Sequence, residues 1–159
     1  MENVESTASE KKINLNIITP RGVKFTEKAD MLVMRCIDGD LGVLPGHEKL
    51  SAVLGDGILR VYSGGRLTKI ALFGGTAEIE DNSVNIYTTI AQRPEEIDRE
   101  RAERDRQEAE EALKESSEEK QSRQLQVLLQ RSLVRLEVSS HHDESNFYDD
   151  TGENDEEDE

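Results

Sequence analysis

Arg131 and Arg135 stand four residues apart in "QRSLVRLEV", and Asp98, Arg101 and Asp105 fall on one side of an earlier helical stretch. Guanidinium forks match phosphate oxygens. If the two stretches pack together, three guanidiniums and a carboxylate meet. Charges on an inward face are costly unless paired, so spacing alone makes inter-helix salt bridges the first expectation and a phosphate site the second. His47 and Cys36 are the other reactive residues. Together they would be the base and nucleophile of a small hydrolase. Cys36 lies inside the apolar run "MLVMRCI", where a thiol is usually inert packing. His47 lies in "DGDLGVLPGHEKL" (38–50) with Asp40 and Glu48 nearby. One histidine beside loop acids reads better as a histidine that hydrogen-bonds the backbone. His141, His142, Asp143 and Glu144 have metal-ligand chemistry but sit in an acidic tail. Without an ordered second shell they make no metal site. Gly64-Gly65 and Gly74-Gly75 lack the Gly-Lys-Ser/Thr of a phosphate loop and read as hairpin turns or close backbone approaches.

The elements that must position these residues fall into four segments. Residues 1–12 are polar and expected to be disordered. Residues 13–91 read as short strands separated by turns. "INLNI" alternates, and "VKF" follows Pro20-Arg21-Gly22. "MLVMRCI" has the two-sided apolar pattern of a covered strand. "ILRVY" and "RLTKIALF" flank Ser63-Gly64-Gly65, and "TAEIE" and "VNIYTT" flank Asp81-Asn82-Ser83. This stretch carries no helical period that could supply parallel crossovers, so a β-sandwich or barrel is expected.

From Pro94 to Val138 the chain has no Gly and no further Pro and is rich in good helix formers. Pro94 suits a first helical position, with Glu95 and Glu96 at the positive end of the dipole. Ser116 and Glu119 have capping-box spacing for a second helix starting near 117. Leu125, Leu128, Leu129, Leu133 and Leu136 form its apolar stripe. The first helix offers only Ile97, Ala102, Ala109, Ala112 and Leu113. Alanine in place of leucine forgoes roughly 1–2 kcal/mol per position, so a folded-back hairpin and one extended helix are near balance. Residues 139–159 are expected to be disordered and to make no fixed contacts.

The chain carries 35 acidic and 20 basic residues, a net −15. Residues 139–159 hold ten of the acids and no base, so the body without them has 25 acids against 20 bases, or −5. This balance disfavours nucleic acid and anionic lipid as partners. A single cysteine forbids an internal disulfide and suits a reducing compartment. The N-terminus has no apolar run of a signal peptide, and no stretch approaches the ~18 apolar residues of a membrane span. Any membrane association would therefore come through a partner.

Residues 13–138 resemble the epsilon subunit of bacterial F-type ATP synthase. "GDLGVLPGHEKL" is similar to that family's Gly-x-x-Gly-x-Leu/Tyr-Pro-Gly-His loop, and "GDGILRV" to the strand after it. "LFGGTAEIEDNSVNI" resembles its Gly-Gly-x-x-Glu hairpin. "IDRERA" matches the Ile/Leu-Asp-x-x-Arg-Ala motif of its first helix, and "QRSLVRLEV" resembles its second helix with both arginines in place.

The resemblance implies a β-sandwich followed by a two-helix hairpin, in a non-catalytic part of the rotor at the cytoplasmic face of a bacterial plasma membrane. The sandwich would sit against the gamma subunit and the c-ring, with Gly39, Asp40, Gly42, Pro45, Gly46 and His47 at that interface. The helices would fold back, or extend toward the alpha and beta subunits and block ATP hydrolysis. No cofactor is required, but some members bind regulatory ATP in the hairpin, and the matching residues here are Ile97, Asp98, Arg101, Ala102, Arg131 and Arg135. ATP-binding members tend to carry a glutamate five positions before the motif isoleucine, where this chain has Gln92. The acidic extension is also outside the family pattern. A free-standing ATP sensor built on the same hairpin is the alternative reading.

Overall fold

The strands of the N-terminal unit are arranged on either side of one antiparallel pair of unusual length. The structure, a computed structural model, describes residues 11–148, the side chains of 141–148 excepted. It divides between Gln92 and Arg93. The first unit holds β1 (Ile13–Thr19), β2 (Gly22–Ala29), β3 (Met31–Cys36), β4 (Gly39–Val43), β5 (Leu50–Ser63), β6 (Arg66–Glu80), β7 (Ser83–Tyr87) and β8 (Ala91–Gln92). The hydrogen-bonded order is β2-β1-β7-β6-β5-β3-β4, with β8 also on β6. β5 and β6 stay in register from Leu50 opposite Ile79 to Ser63 opposite Arg66.

Their outer partners change along the way. β6 pairs with β8 at Ala71 and Leu72 and with β7 from Thr76 onward. On the other side, β5 pairs with β3 at 60–62, breaks register, and meets it again at Leu54. The two long strands therefore belong to both layers of a β-sandwich, and the ladder folds over on itself. Ile13, Leu15, Ile17, Leu32, Met34, Leu59, Val61, Ile70, Ile79, Val84 and Ile86 fill the space between the layers. β1 and β7 pair in parallel, from Asn14 opposite Ser83 to Ile18 opposite Tyr87. They are far apart in sequence, so no hairpin signal announces this pairing.

The turns have the backbone that their residues favour. Gly64 and Gly65 both have positive φ, as do Asp81 and Asn82, so both hairpins close with two residues of the mirror-image type that suits strand twist. Ser83 is already in β7, opposite Glu80. Lys12 pairs with Asp30, whose other oxygen accepts from the Gly64 N–H at 2.8 Å.

Two expectations for this unit need correction. Residues 39–43 are strand β4, not loop, because they complete the β3 edge with Gly42 opposite Val33. Gly42 consequently lacks the positive φ found at Gly39 and Gly46. β3 is buried on one face only, at Leu32, Met34 and Cys36, with Met31 and Val33 half-buried. Of the two readings of Gly74-Gly75, the close backbone approach holds, because β6 continues through it. Gly75 lies where the chain passes closest to a neighbour, and a Cβ there would overlap the Tyr87 carbonyl.

The second unit opens with a 3₁₀ turn, Pro94–Glu96, followed by α1 (Arg99–Glu115) and α2 (Glu119–Tyr148). The α-helix thus begins later than Pro94. Ile97 is extended, and Asp98 is the N-cap, its side chain accepting from the Arg101 N–H at 3.1 Å. α2 starts at Glu119, two residues later than the Ser116 box required. Ser116 terminates α1 in an extended conformation, and its hydroxyl meets that of Ser122 at 3.0 Å. With the chain broken at 116–118, α1 and α2 pack as a folded-back hairpin. α2 continues past Val138 to Tyr148, so the boundary at 138/139 does not hold. No Gly or Pro interrupts the chain before Gly152. The expected disorder of 1–10 and 149–159 falls outside the described residues.

Gly42→Val should leave the midpoint of urea denaturation within about 0.5 kcal/mol of the parent, because the position is an open strand site with no atom within 4 Å of a new Cβ. Gly75→Ala should cost about 2 kcal/mol or more, since it combines positive φ with backbone overlap. Equal midpoints for the two variants would contradict this account of the bend.

Candidate functional site

The seam of the helical hairpin is made of small residues. Ala102 and Ala109 of α1 are buried, with Ala112 and Leu113 half-buried beside them. On one side of α2, Ser132 and Ser139 are buried and Ser122, Leu125, Leu129 and Leu136 half-buried, at alternating three- and four-residue spacing, while Val134 and Val138 are buried on another side. Leu128 and Leu133, expected in this stripe, are 56% and 43% exposed. Serine won the inward positions because its hydroxyl can be satisfied inside its own helix. Ser132 Oγ donates to the Leu129 carbonyl at 2.7 Å, and Ser139 Oγ to that of Leu136 at 3.0 Å. Two small-residue faces can approach closely, but they bury little apolar area.

Near the open end of this seam the charged residues gather. Arg131 and Arg135 are half-buried on α2, and Asp105 is half-buried on α1. Burial pushes the Arg135 guanidinium below its ordinary pKa, and the like charges of Arg131 and Arg101 push the same way. The carboxylate of Asp105 opposes them. The guanidinium stays charged. Arg101, Arg131 and Asp105 are thus near enough to act on the charge of Arg135, and the carboxylate among them is Asp105. Asp98 is instead held by its capping bond. Ile97 is half-buried, its N–H donating to the Pro94 carbonyl at 3.3 Å, and Ala102 is buried. Gln92 lies in β8, in the other unit. Sequence reasoning missed Arg106, which bridges Glu103 and Glu110, the latter at 2.9 Å. Its i−3 and i+4 spacing was readable.

The segment 38–50 divides into parts. Gly39 turns β3 into β4, and Asp40 meets Arg35 at 3.3 Å. Leu44 to His47 forms a turn closed by the His47 N–H on the Leu44 carbonyl at 3.2 Å. Gly46 N–H donates to Asn82 Oδ1 at 2.6 Å, tying this turn to the β6–β7 hairpin. His47 Nδ1 lies 2.7 Å from the Glu48 carbonyl, a backbone contact, and Pro45 is half-buried. The Cys36 thiol is buried, and that burial, with Asp38 and Asp40 nearby, raises its pKa and keeps it unreactive. Ile37, which donates to the Val53 carbonyl, is 71% exposed, and Leu44 is 58% exposed. These apolar residues beside the turns were not singled out, because an isolated Ile or Leu at a strand end carries no distinguishing pattern.

An open cleft of about 460 Å³ is lined by Ile18, Thr19, Pro20, Gly75, Tyr87, Thr88 and Thr89. Tyr87 is its one titratable residue, so no acid–base pair converges there. Among the described residues no three His, Cys, Asp or Glu side chains group as a metal site, and the side chains of His141, His142, Asp143 and Glu144 lie outside them. No helix among the described residues is long and apolar enough to cross a membrane.

A sandwich with exposed apolar residues beside its turns, joined to a thinly packed hairpin bearing an arginine cluster, is built to act by contact. Comparison with known proteins says in which assembly. The β-sandwich domain of the ATP synthase delta/epsilon chain matches residues 12–94, and that family's long α-helix domain matches 95–140. The ATP synthase epsilon chain of Caldicellulosiruptor saccharolyticus is 34% identical over 127 residues, 80% of this chain and 93% of the relative. That of Pelotomaculum thermopropionicum is 42% identical over 105 residues, 66% and 78% of the two chains. A chain in the Euglena gracilis mitochondrial ATP synthase, solved as OSCP/F1/c-ring, superposes with a TM-score of 0.70 at 29% identity over 89% of each chain. The chain belongs to the ATP synthase delta/epsilon family: it is an epsilon-type subunit, an accessory part of the rotor stalk and not the catalytic subunit.

Asp98→Ala should lower the stability of α1 by about 1 kcal/mol, read as faster amide exchange in its first turn, while Asp98→Asn should change little because asparagine also caps. Unchanged exchange in the alanine variant would remove the capping role.

Proposed function

We propose that this subunit transmits rotation through its sandwich and restrains ATP hydrolysis through its hairpin. The sandwich would bind the gamma subunit and the c-ring at the cytoplasmic face of the membrane. Gly39, Asp40, Gly42, Pro45, Gly46 and His47 would lie at that contact, with the exposed Ile37 and Leu44 supplying apolar area. The observation that carries the regulatory reading is the hairpin seam. It is alanine against serine and leucine, while Val127, Leu128 and Leu133 stay 45%, 56% and 43% exposed on α2. A helix that carries exposed apolar residues beside a seam of small side chains gains area when another surface covers them, which offsets what it loses on leaving the seam. That surface would belong to the alpha and beta subunits.

A second reading has its own observation, the arginine cluster. The folded hairpin gathers Arg101, Arg131 and Arg135, so a triphosphate would favour the folded state, with Ile97, Asp98 and Ala102 beside the nucleotide. Gln92 lacks the charge of the glutamate found in ATP-binding members, which favours weak binding.

Synthase reassembled with a chain ending at Gln92 should retain the subunit bound to gamma and should hydrolyse ATP faster than with the full chain. Equal hydrolysis by both would remove the restraining role. Calorimetric titration of the full chain with ATP should show binding that weakens roughly ten- to a hundredfold in Arg131→Ala or Arg135→Ala, the effect of about 1.5–3 kcal/mol for one charged phosphate partner. Absence of heat at millimolar ATP would leave the cluster as inter-helix pairing alone.

A further inference from the structure

We propose that Asn82 is the positioning residue of the rotor contact: from the tip of the β6–β7 hairpin its side chain fixes the turn Leu44–His47 where the partner meets it. The role presupposes that this turn is a docking contact, as proposed for the sandwich. The turn cannot hold its own place. It belongs to the connection 44–49 between β4 and β5, and none of these residues is buried. Leu44 is exposed, and Pro45 and His47 are only half-buried. The bond from the His47 N–H to the Leu44 carbonyl closes the turn on itself but sets no direction relative to the sheet.

Glu80 and Asn82 reach the connection from the β6–β7 hairpin. Lys49 Nζ lies 3.1 Å from Glu80 Oε1, but both side chains are exposed, and such a pair adds little. Asn82 Oδ1 instead grips the backbone itself, accepting from the Gly46 N–H at 2.6 Å in the middle of the turn. The anchor is firmly held in its turn. The Asn82 carbonyl accepts from the Asn14 N–H at 2.8 Å, which joins the hairpin tip to β1. One carboxamide thus refers the contact turn to three strands, β1, β6 and β7.

Asparagine meets two requirements at this position. With a φ of 61° it occupies the left-handed region, next to Asp81 at 49°, which most side chains avoid. Its side-chain oxygen then supplies the acceptor. Glycine would meet the first requirement alone, and aspartate would meet both. A contact loop already held in its bound position loses less freedom on docking, and one hydrogen bond of this kind corresponds to about two- to tenfold in affinity.

The test titrates the labelled full-length chain onto ATP synthase from which this subunit has been removed, for the parent, Asn82→Gly, Asn82→Asp and Leu44→Ser. Asn82→Gly should weaken binding about two- to tenfold and speed exchange of the Gly46 amide several-fold. Its thermal midpoint should stay close to the parent's, because glycine keeps the hairpin turn. Asn82→Asp should restore both the affinity and the slow exchange. Leu44→Ser should weaken binding with Gly46 exchange unchanged, which reports on the docking contact by itself. Undiminished affinity in Asn82→Gly beside weakened binding of Leu44→Ser would overturn the positioning role and leave the contact in place. Undiminished affinity in both would overturn the contact and the role with it. Binding by Asn82→Asp as weak as that by Asn82→Gly would also overturn the role.

Discussion

The long antiparallel pair of β5 and β6 is the constraint on which the N-terminal unit depends. One register running from Leu50–Ile79 to Ser63–Arg66 must serve two layers, so the pair has to bend without losing register. The bend falls at glycines. Gly57 leaves room for the Arg35 stem, whose Cβ would lie 2.7 Å from an added Cβ, and Gly75 leaves room for the Tyr87 carbonyl. Past that point β6 releases β8 and takes up β7, and β7 brings β1 and β2 with it. A side chain at Gly75 would push β7 away and with it the layer that β1 and β2 complete.

The helical unit follows the opposite principle. Its interface is made weak by residue choice, alanine facing serine, and its polar atoms are satisfied within each helix. Hydrogen bonds that a helix makes to itself survive when the seam opens, so separation costs the hairpin apolar area but not these bonds. Half-buried Arg135 is repelled by Arg131 and Arg101, and the charge of Asp105 offsets that repulsion.

Several features were legible from residues alone because they depend on local chemistry. The two-residue hairpins at Gly64-Gly65 and Asp81-Asn82 follow from side chains that tolerate positive φ. The change from strands to helices at Pro94, the buried Ala102 and Ala109, and the arginine pair at four-residue spacing follow from composition and period. The motifs "GDLGVLPGHEKL" and "IDRERA" were enough to indicate the family.

What only the tertiary structure decided concerns neighbours distant in the chain. The parallel pairing of β1 with β7 has no local signal. β4 is a strand because β3 offers it an edge, not because "GDLGV" prefers one. At Gly74-Gly75, where residues alone left a turn or a close approach open, the position of Tyr87 decides for the close approach. On α2 a leucine stripe at helical spacing is what periodicity sees, yet the seam takes Ser132 and Ser139 and leaves Leu128 and Leu133 outside. Periodicity measures which residues can be buried. Which of them are buried depends on how closely the partner approaches, and alanines on α1 let it come close enough for serine.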